Sequence, residues 1–147
     1  GLSQARESVQ ALRPQQIDSR SIETELKSLS RLLQETGAVA AHFECCGEPY
    51  HVAPEIWTEM IRIAQESTTN VLKHAHAENV YIKLSFEDKN VRLTVSDDGK
   101  GIQVKDDDHD GFGLIGMHER AKRIGARLQI LGRVGYGTRI ALSVPSA

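Results

Sequence analysis

Residues 66–75 read Glu66-Ser67-Thr68-Thr69-Asn70-Val71-Leu72-Lys73-His74-Ala75, and residues 97–101 read Asp97-Asp98-Gly99-Lys100-Gly101. Positions 66, 70 and 73 are spaced i, i+4 and i+7, so a helix sets a carboxylate, a carboxamide and an ammonium in one row. The second stretch follows an alternating apolar run, Val91 to Ser96, and therefore falls in a turn where a strand ends. Glycines in such a turn let backbone approach a ligand closely while one carboxylate points inward. A turn accounts for Gly99 and Gly101, but a turn alone does not need Asp97. A helix and a strand end that each carry a polar set imply an α/β chain whose site lies where they meet.

The rest of the chain supports that architecture. Its 147 residues, 39% of them hydrophobic, suffice for one domain with a real core. Eighteen basic and 20 acidic side chains give a net charge of −2, with Lys and Arg scattered, which argues against a nucleic-acid surface. No apolar run approaches the roughly 18 residues of a membrane span, and no charged-then-apolar leader opens the sequence. Cys45 and Cys46 are adjacent with no second pair, so a reduced, cytoplasmic compartment fits best.

Leu2, Ala5, Val9 and Leu12 lie at helical spacing until Pro14 stops the run, and a start in mid-helix predicts a piece of a longer protein. A second helix is predicted from Ser21 to Thr36, with Ile22, Leu26, Leu29, Leu32 and Leu33 on one stripe and Gly37 as its stop. Ala38 to Cys45 reads as a strand, and Pro54 as the first turn of a long helix to about Ala75 that holds the polar row. Strands follow at about Val80–Phe86 and Val91–Ser96, joined by Glu87-Asp88-Lys89-Asn90. Residues 98–113 are rich in glycine and aspartate and read as a mobile lid, after which Leu114, Ile115 and Met117 open a helix ending at Gly125. The chain closes with a strand at about Arg127–Leu131, a turn containing Gly132, Gly135 and Gly137, and a strand over Thr138–Val144.

Oxygen donors beside an ammonium suit a hard cation carrying phosphates, so the two opening stretches together point to a magnesium-nucleotide site. Taken alone, the helix row fits a solvated polar stripe equally well. Gly111-Phe112-Gly113-Leu114-Ile115-Gly116 satisfies the G-x-G-x-x-G pattern, but the residues before it are Asp106 to Asp110, where a dinucleotide-binding fold requires an apolar strand. These glycines still open a helix, whose N–H groups can meet phosphate oxygens. The acidic run imitates a calcium loop, yet Met117 stands where the bidentate glutamate belongs. His74 and His76 point different ways at a helix end, His42 and His51 read as surface residues and His118 as partly exposed, and no zinc set emerges.

Four motifs in order, Glu66-x-x-x-Asn70-x-x-Lys73-His74-Ala75, Asp97-x-Gly99-x-Gly101, Gly111-x-Gly113-Leu114-x-Gly116-Met117-x-Glu119-Arg120 and Gly137-Thr138, resemble the ATP-binding domain of a bacterial sensor histidine kinase of the GHKL superfamily. The resemblance covers nearly the whole chain. It is closest to the nitrate-sensor-type subfamily, whose partners are response regulators with a helix-turn-helix output. Residues 1–14 are similar to the end of its dimerisation helix, leaving 15–147 as the ATP-binding catalytic domain.

The resemblance implies a two-layer α/β (α+β) sandwich, with helices on one face of a mixed sheet in a Bergerat-type ATP-binding fold. It also implies residue roles. Asp97 accepts a hydrogen bond from the adenine amino group with support from Thr138, and Gly99, Gly101 and Ile102 shape the adenine pocket. Asn70 holds Mg²⁺, Glu66 acts near the γ-phosphate on the attacking imidazole, and Lys73 with His74 lies by the phosphates. Gly111, Gly113, Leu114 and Gly116 close over them. None of the six histidines matches the phosphate-accepting one, so the chain is expected to bind ATP without phosphorylating itself. Transfer would then need the dimerisation domain of a homodimeric full-length protein, with any membrane segment also outside this chain; the isolated domain is expected to be monomeric. The alternatives are an ATPase or serine kinase built on the same pocket, or a nucleotide-binding sensing or docking module without catalysis.

Overall fold

The computed structural model of the chain describes residues 14–101 and 113–146, without the side chains of 14–21, 74, 75 and 133. In order, the elements are α1 (Pro14–Glu35), β1 (Ala40–Cys46), α2 (Pro54–Asn70), a π-helical turn (Val71–Ala75), β2 (Asn79–Phe86), β3 (Asn90–Asp97), α3 (Leu114–Arg123), β4 (Arg127–Arg133) and β5 (Gly137–Pro145). The strands form one sheet in the order β1-β2-β3-β5-β4. β1 and β2 run parallel, and the other neighbours are antiparallel.

Period-two alternation explains the two faces of this mixed sheet. Val80, Ile82, Leu84 and Phe86 of β2, Val91, Leu93 and Val95 of β3, and Ile140, Leu142 and Val144 of β5 are buried. Against them pack Ile22, Leu26 and Leu33 of α1, Met60, Ile63 and Ala64 of α2, and Leu114, Met117 and Ala121 of α3. Each large apolar side chain so buried contributes about 1.5–3 kcal/mol before conformational entropy is subtracted. The intervening residues, among them Tyr81, Lys83, Arg92 and Arg139, face outward on a polar side that none of the described helices covers. This is the two-layer arrangement expected from the sequence.

Several boundaries differ from expectation. α1 begins at Pro14 rather than Ser21, because proline is tolerated in a first helical turn, where its missing N–H would be unpaired anyway. Leu32 is 61% exposed, since Leu26, Leu29 and Leu33 already fill the inward arc and Leu32 is rotated off it. Gly132 belongs to β4, paired with Thr138, and not to the turn. The helix expected over residues 1–13 and most of the expected lid, 102–112, lie outside the described residues. Among the described residues, no helix is long and apolar enough to cross a membrane.

Candidate functional site

Val80, Asp97 and Thr138 are register partners on adjacent strands, so the start of β2, the end of β3 and the start of β5 lie side by side. α2 ends nine residues before β2 begins, which brings its C-terminus to the same end of the sheet. α3 starts there too, since it runs antiparallel against α2. Gly113 lies on Glu66, Ser67 Oγ donates to Met117 Sδ at 3.6 Å, and Arg120 bonds Glu59 at 2.9 Å.

At the strand end, Asp97 is half-buried and accepts a hydrogen bond from Gly99 N at 2.8 Å, an Asx turn that shapes the glycine loop. Burial pushes its carboxyl above the ordinary carboxylate range; the backbone N–H groups of Gly99 and Thr138 pull it the other way, and the neighbouring charge of Asp98 adds to the rise. The Thr138 hydroxyl is buried beside it with no hydrogen-bond partner among the described residues. Such groups are rare in native proteins and mark a place where something else bonds. Gly137 has φ +96°, and a Cβ there would stand 2.0 Å from Asp97 O. Only glycine permits that approach. A cleft of about 510 Å³ at this sheet end reaches onto the outward face, lined by Ser96, Leu131, Tyr136 and Arg139 as well as Asp97, Gly137 and Thr138. A larger one, about 710 Å³, lies between Arg92, Arg127, Gln129 and Ser143 and shares no residue with this end of the sheet.

Asp98 is tied down from three sides. Its carboxylate accepts the backbone N–H groups of Glu78 at 2.9 Å and Asn79 at 2.8 Å, and the Asn79 side-chain amide at 2.9 Å. The Asn79 hydrogen bonds, that of its side chain above all, hold the carboxyl below its ordinary range. Gly135 N donates to Lys100 O at 2.6 Å, fastening the glycine loop to the turn between β4 and β5.

The helix end is looser. Glu66 and Asn70 are part-buried on α2, with the carboxamide oxygen of Asn70 shielded from solvent. Lys73 is exposed, and the row does not continue as α-helix, because residues 71–75 form a π-helical turn. His76 ends the turn in the left-handed region at φ 53°, a strained conformation for a non-glycine residue. Glu66 and Lys73 form no side-chain hydrogen bond or ion pair among the described residues. Gly113, at φ +65°, caps α3 with its backbone against Glu66; a Cβ there would lie 2.6 Å from the carboxylate.

Residues 57–147 match the family described as "Histidine kinase-, DNA gyrase B-, and HSP90-like ATPase". The chain belongs to that family. Within this ATPase family it is homologous to sensor histidine kinases. It is 32% identical over 139 residues to the signal transduction histidine-protein kinase/phosphatase DegS of Bacillus subtilis, covering 90% of this chain and 36% of that protein. To UhpB of Salmonella typhimurium, which bears the same description, identity is 30% over 91% of this chain and 26% of the relative. The chain thus spans roughly a third of such relatives. Its fold matches the histidine kinase domain of a blue-light activated histidine kinase from Erythrobacter litoralis, with a TM-score of 0.71 at 24% identity over 84% of this chain and 60% of that one.

The fold of this ATPase domain gathers Glu66, Asn70, Asp97, Gly99, Gly101, Gly113 and Thr138 at one end of the sheet. Leu114 and Gly116 fall within α3, Leu114 as a buried core residue rather than a lid surface. Ile102, Gly111 and the His74 side chain lie outside the described residues. Sequence reasoning gave no role to Asp98, Asn79, Glu59 or Arg120. Asp98 was legible only as the neighbour of Asp97, and Arg120 only as the end of a motif.

Proposed function

We propose that this domain binds Mg-ATP at the sheet end and that, in the full-length protein, it supplies the γ-phosphate to a histidine on a separate dimerisation helix, for relay to a response regulator of helix-turn-helix output type. Residues 1–14 are then the remnant of that helix and 15–147 the catalytic domain, working in the cytoplasm as part of a homodimer. The observation that carries the reading is the pairing of the half-buried Asp97 carboxylate with the buried Thr138 hydroxyl, which has no hydrogen-bond partner among the described residues, in adjacent register positions. The carboxylate accepts a hydrogen bond from the adenine amino group, and the hydroxyl supports that contact. Gly99 and Gly101, with Ile102, shape the adenine pocket.

Towards the phosphates, Asn70 offers one shielded carboxamide oxygen. That fits a small hard cation, which keeps waters and phosphate oxygens as its other ligands. When bound, Mg²⁺ offsets the triphosphate charge. Glu66, held against Gly113, polarises the incoming imidazole. Lys73 and His74 lie by the phosphates, and Gly111, Gly113 and Gly116 close over them, with Leu114 anchoring their helix in the core and the first N–H groups of α3 at its positive end. Positioning and charge stabilisation are most of what phosphoryl transfer asks of a protein.

Nucleotide competition tests the base assignment. Guanine carries a carbonyl oxygen where adenine carries its amino group, so it would set acceptor against acceptor at Asp97 and leave buried polar groups unpaired. ATP should therefore displace a bound fluorescent adenine nucleotide at least about a hundredfold better than GTP. Equal competition by GTP would remove Asp97 from the base.

A further inference from the structure

The last residues before β2 carry the chain from the phosphate end of the site into the sheet. After the π-helical turn it passes through His76 at φ 53° and Ala77 before Asn79 enters β2, with no regular backbone ladder in between. The exit is held from both neighbouring strands. Ala40 N donates to Glu78 O at 2.8 Å from the β1 side. From the β3 side, Asp98 takes the N–H groups of both Glu78 and Asn79 as well as the Asn79 amide. Since Asn79 Nδ2 is committed to Asp98, its Oδ1 faces His42 Nε2 as acceptor at 3.1 Å, and that ring stacks on Tyr81 with centroids 4.7 Å apart. Asp98 is bonded in sequence to Asp97. The same hydrogen-bond cluster therefore joins the proposed adenine acceptor to the segment that trails Asn70 and Lys73.

We propose that Asp98 and Asn79 are a positioning pair that sets the separation between the adenine end and the phosphate end of the nucleotide site. The inference rests on the ATP reading above and assigns the pair no contact with nucleotide. The β2–β3 ladder aligns Val80 with Asp97 and continues only as far as Asp98 N donating to Asn79 O at 3.3 Å, so on the β3 side Glu78 is held by the Asp98 carboxylate. A carboxylate that accepts two successive N–H groups fixes the exit, because both bonds converge on one oxygen. Adenosine, which touches only the strand end, senses the pair weakly. ATP, which must meet both ends at once, senses it strongly.

The test is calorimetric titration of the 147-residue chain with Mg-ATP and, separately, with adenosine. Asp98→Asn keeps the shape but sets an amide N–H against the Asn79 amide. If it reduces the properly spaced population to about a tenth, the ATP dissociation constant rises about tenfold, while adenosine changes by less than about threefold. Stoichiometry stays unchanged, which separates a misplaced site from unfolded protein. Exchanging the partners, Asn79→Asp with Asp98→Asn, restores the side-chain bond with donor and acceptor reversed and should bring ATP affinity back to within about threefold of wild type. Should Asp98→Asn fail to fold, Asn79→Ala decides the matter, since it removes the amide donor and leaves the backbone bonds. Wild-type ATP affinity in whichever single variant folds would overturn the inference. So would equal losses for ATP and adenosine, or no recovery in the exchanged pair. If the wild-type chain does not bind Mg-ATP, the ATP reading falls and takes the inference with it; if it binds Mg-ATP and the variants leave that affinity unchanged, the inference falls alone.

Discussion

At the strand end of the site, Asp97 is bonded to Gly99, Asp98 holds two N–H groups and an amide, Gly135 clasps Lys100, and Gly137 leaves no room for a Cβ. At the helix end, Glu66 and Lys73 make no such bonds among the described residues, α2 loosens into a π-helical turn, and Gly113 at the start of α3 leaves no room for a Cβ beside Glu66. On the proposed reading, the difference separates two tasks. Groups that recognise a base work best when fixed in advance, because no ordering cost then falls on binding. Groups that face a transferring phosphate must accommodate a partner arriving from elsewhere, and low local stability serves that purpose.

Substitutions that treat the two ends alike should have unlike effects. Gly137→Ala places a Cβ 2.0 Å from backbone that cannot yield, at φ +96°, and should cost about 3 kcal/mol in urea unfolding, near the upper end for single substitutions. Gly113→Ala meets the flexible Glu66 side chain, from Cγ to Oε2, rather than backbone, at φ +65°, so it should cost about 1–2 kcal/mol, the left-handed penalty, while displacing that carboxylate. Equal destabilisation by the two would erase the distinction between a rigid and a yielding end.

The Asp97 carboxyl carries a prediction with a sign. Its folded-state pKa is raised, chiefly by burial, so ionising it costs stability as pH rises through that value, and no cost remains below the unfolded-state pKa. Asp97→Asn should therefore raise the melting temperature of the nucleotide-free chain by a few degrees near neutrality. The advantage should vanish as pH falls below the carboxylate range. A lower melting temperature at pH 7 would show that the carboxylate stabilises the empty fold and is not strained for ligand.

The smallest effect is expected at the far end of the α2–α3 contact. The hydrogen bond from Arg120, reinforced by Arg123, holds the Glu59 carboxyl below its usual range, so its contribution is present above the unfolded pKa and lost as pH falls through the folded one. Arg123 is 61% exposed, and water screens much of the attraction. Glu59→Gln should cost only about 0.5 kcal/mol at pH 7. A loss several times larger would make this ion pair, rather than the apolar contacts of Met117 and Ala121, the main tether of α3.

Much of the fold was legible in the sequence because sheets and helices write their burial in short periods. The alternation in 80–86, 91–96 and 138–144 is that of β2, β3 and β5, and Pro54 opens α2. Failures came where two rules compete: Pro14 can stop a helix or start one, and Leu32 and Leu33 cannot both face inward. In the site, the row on α2 and the glycine loop were visible, since their spacing is local. The π-helical turn was not, because nothing in Val71–Ala75 forbids an ordinary α-helix. Nor was the clamp of Asp98 on residues 78 and 79, which joins positions about twenty apart through side-chain-to-backbone bonds that leave no periodic trace.

The central claim, that the strand end is a preformed adenine site and the helix end completes it with Mg²⁺, is tested most directly by titrating the chain with ATP in a calorimeter, with and without Mg²⁺, beside Asp97→Asn. The account predicts binding that strengthens with Mg²⁺ and weakens in the variant by about 1.5–3 kcal/mol, the scale of a hydrogen bond to a charged acceptor. Unchanged affinity in Asp97→Asn, or a wild-type chain indifferent to ATP, would contradict it.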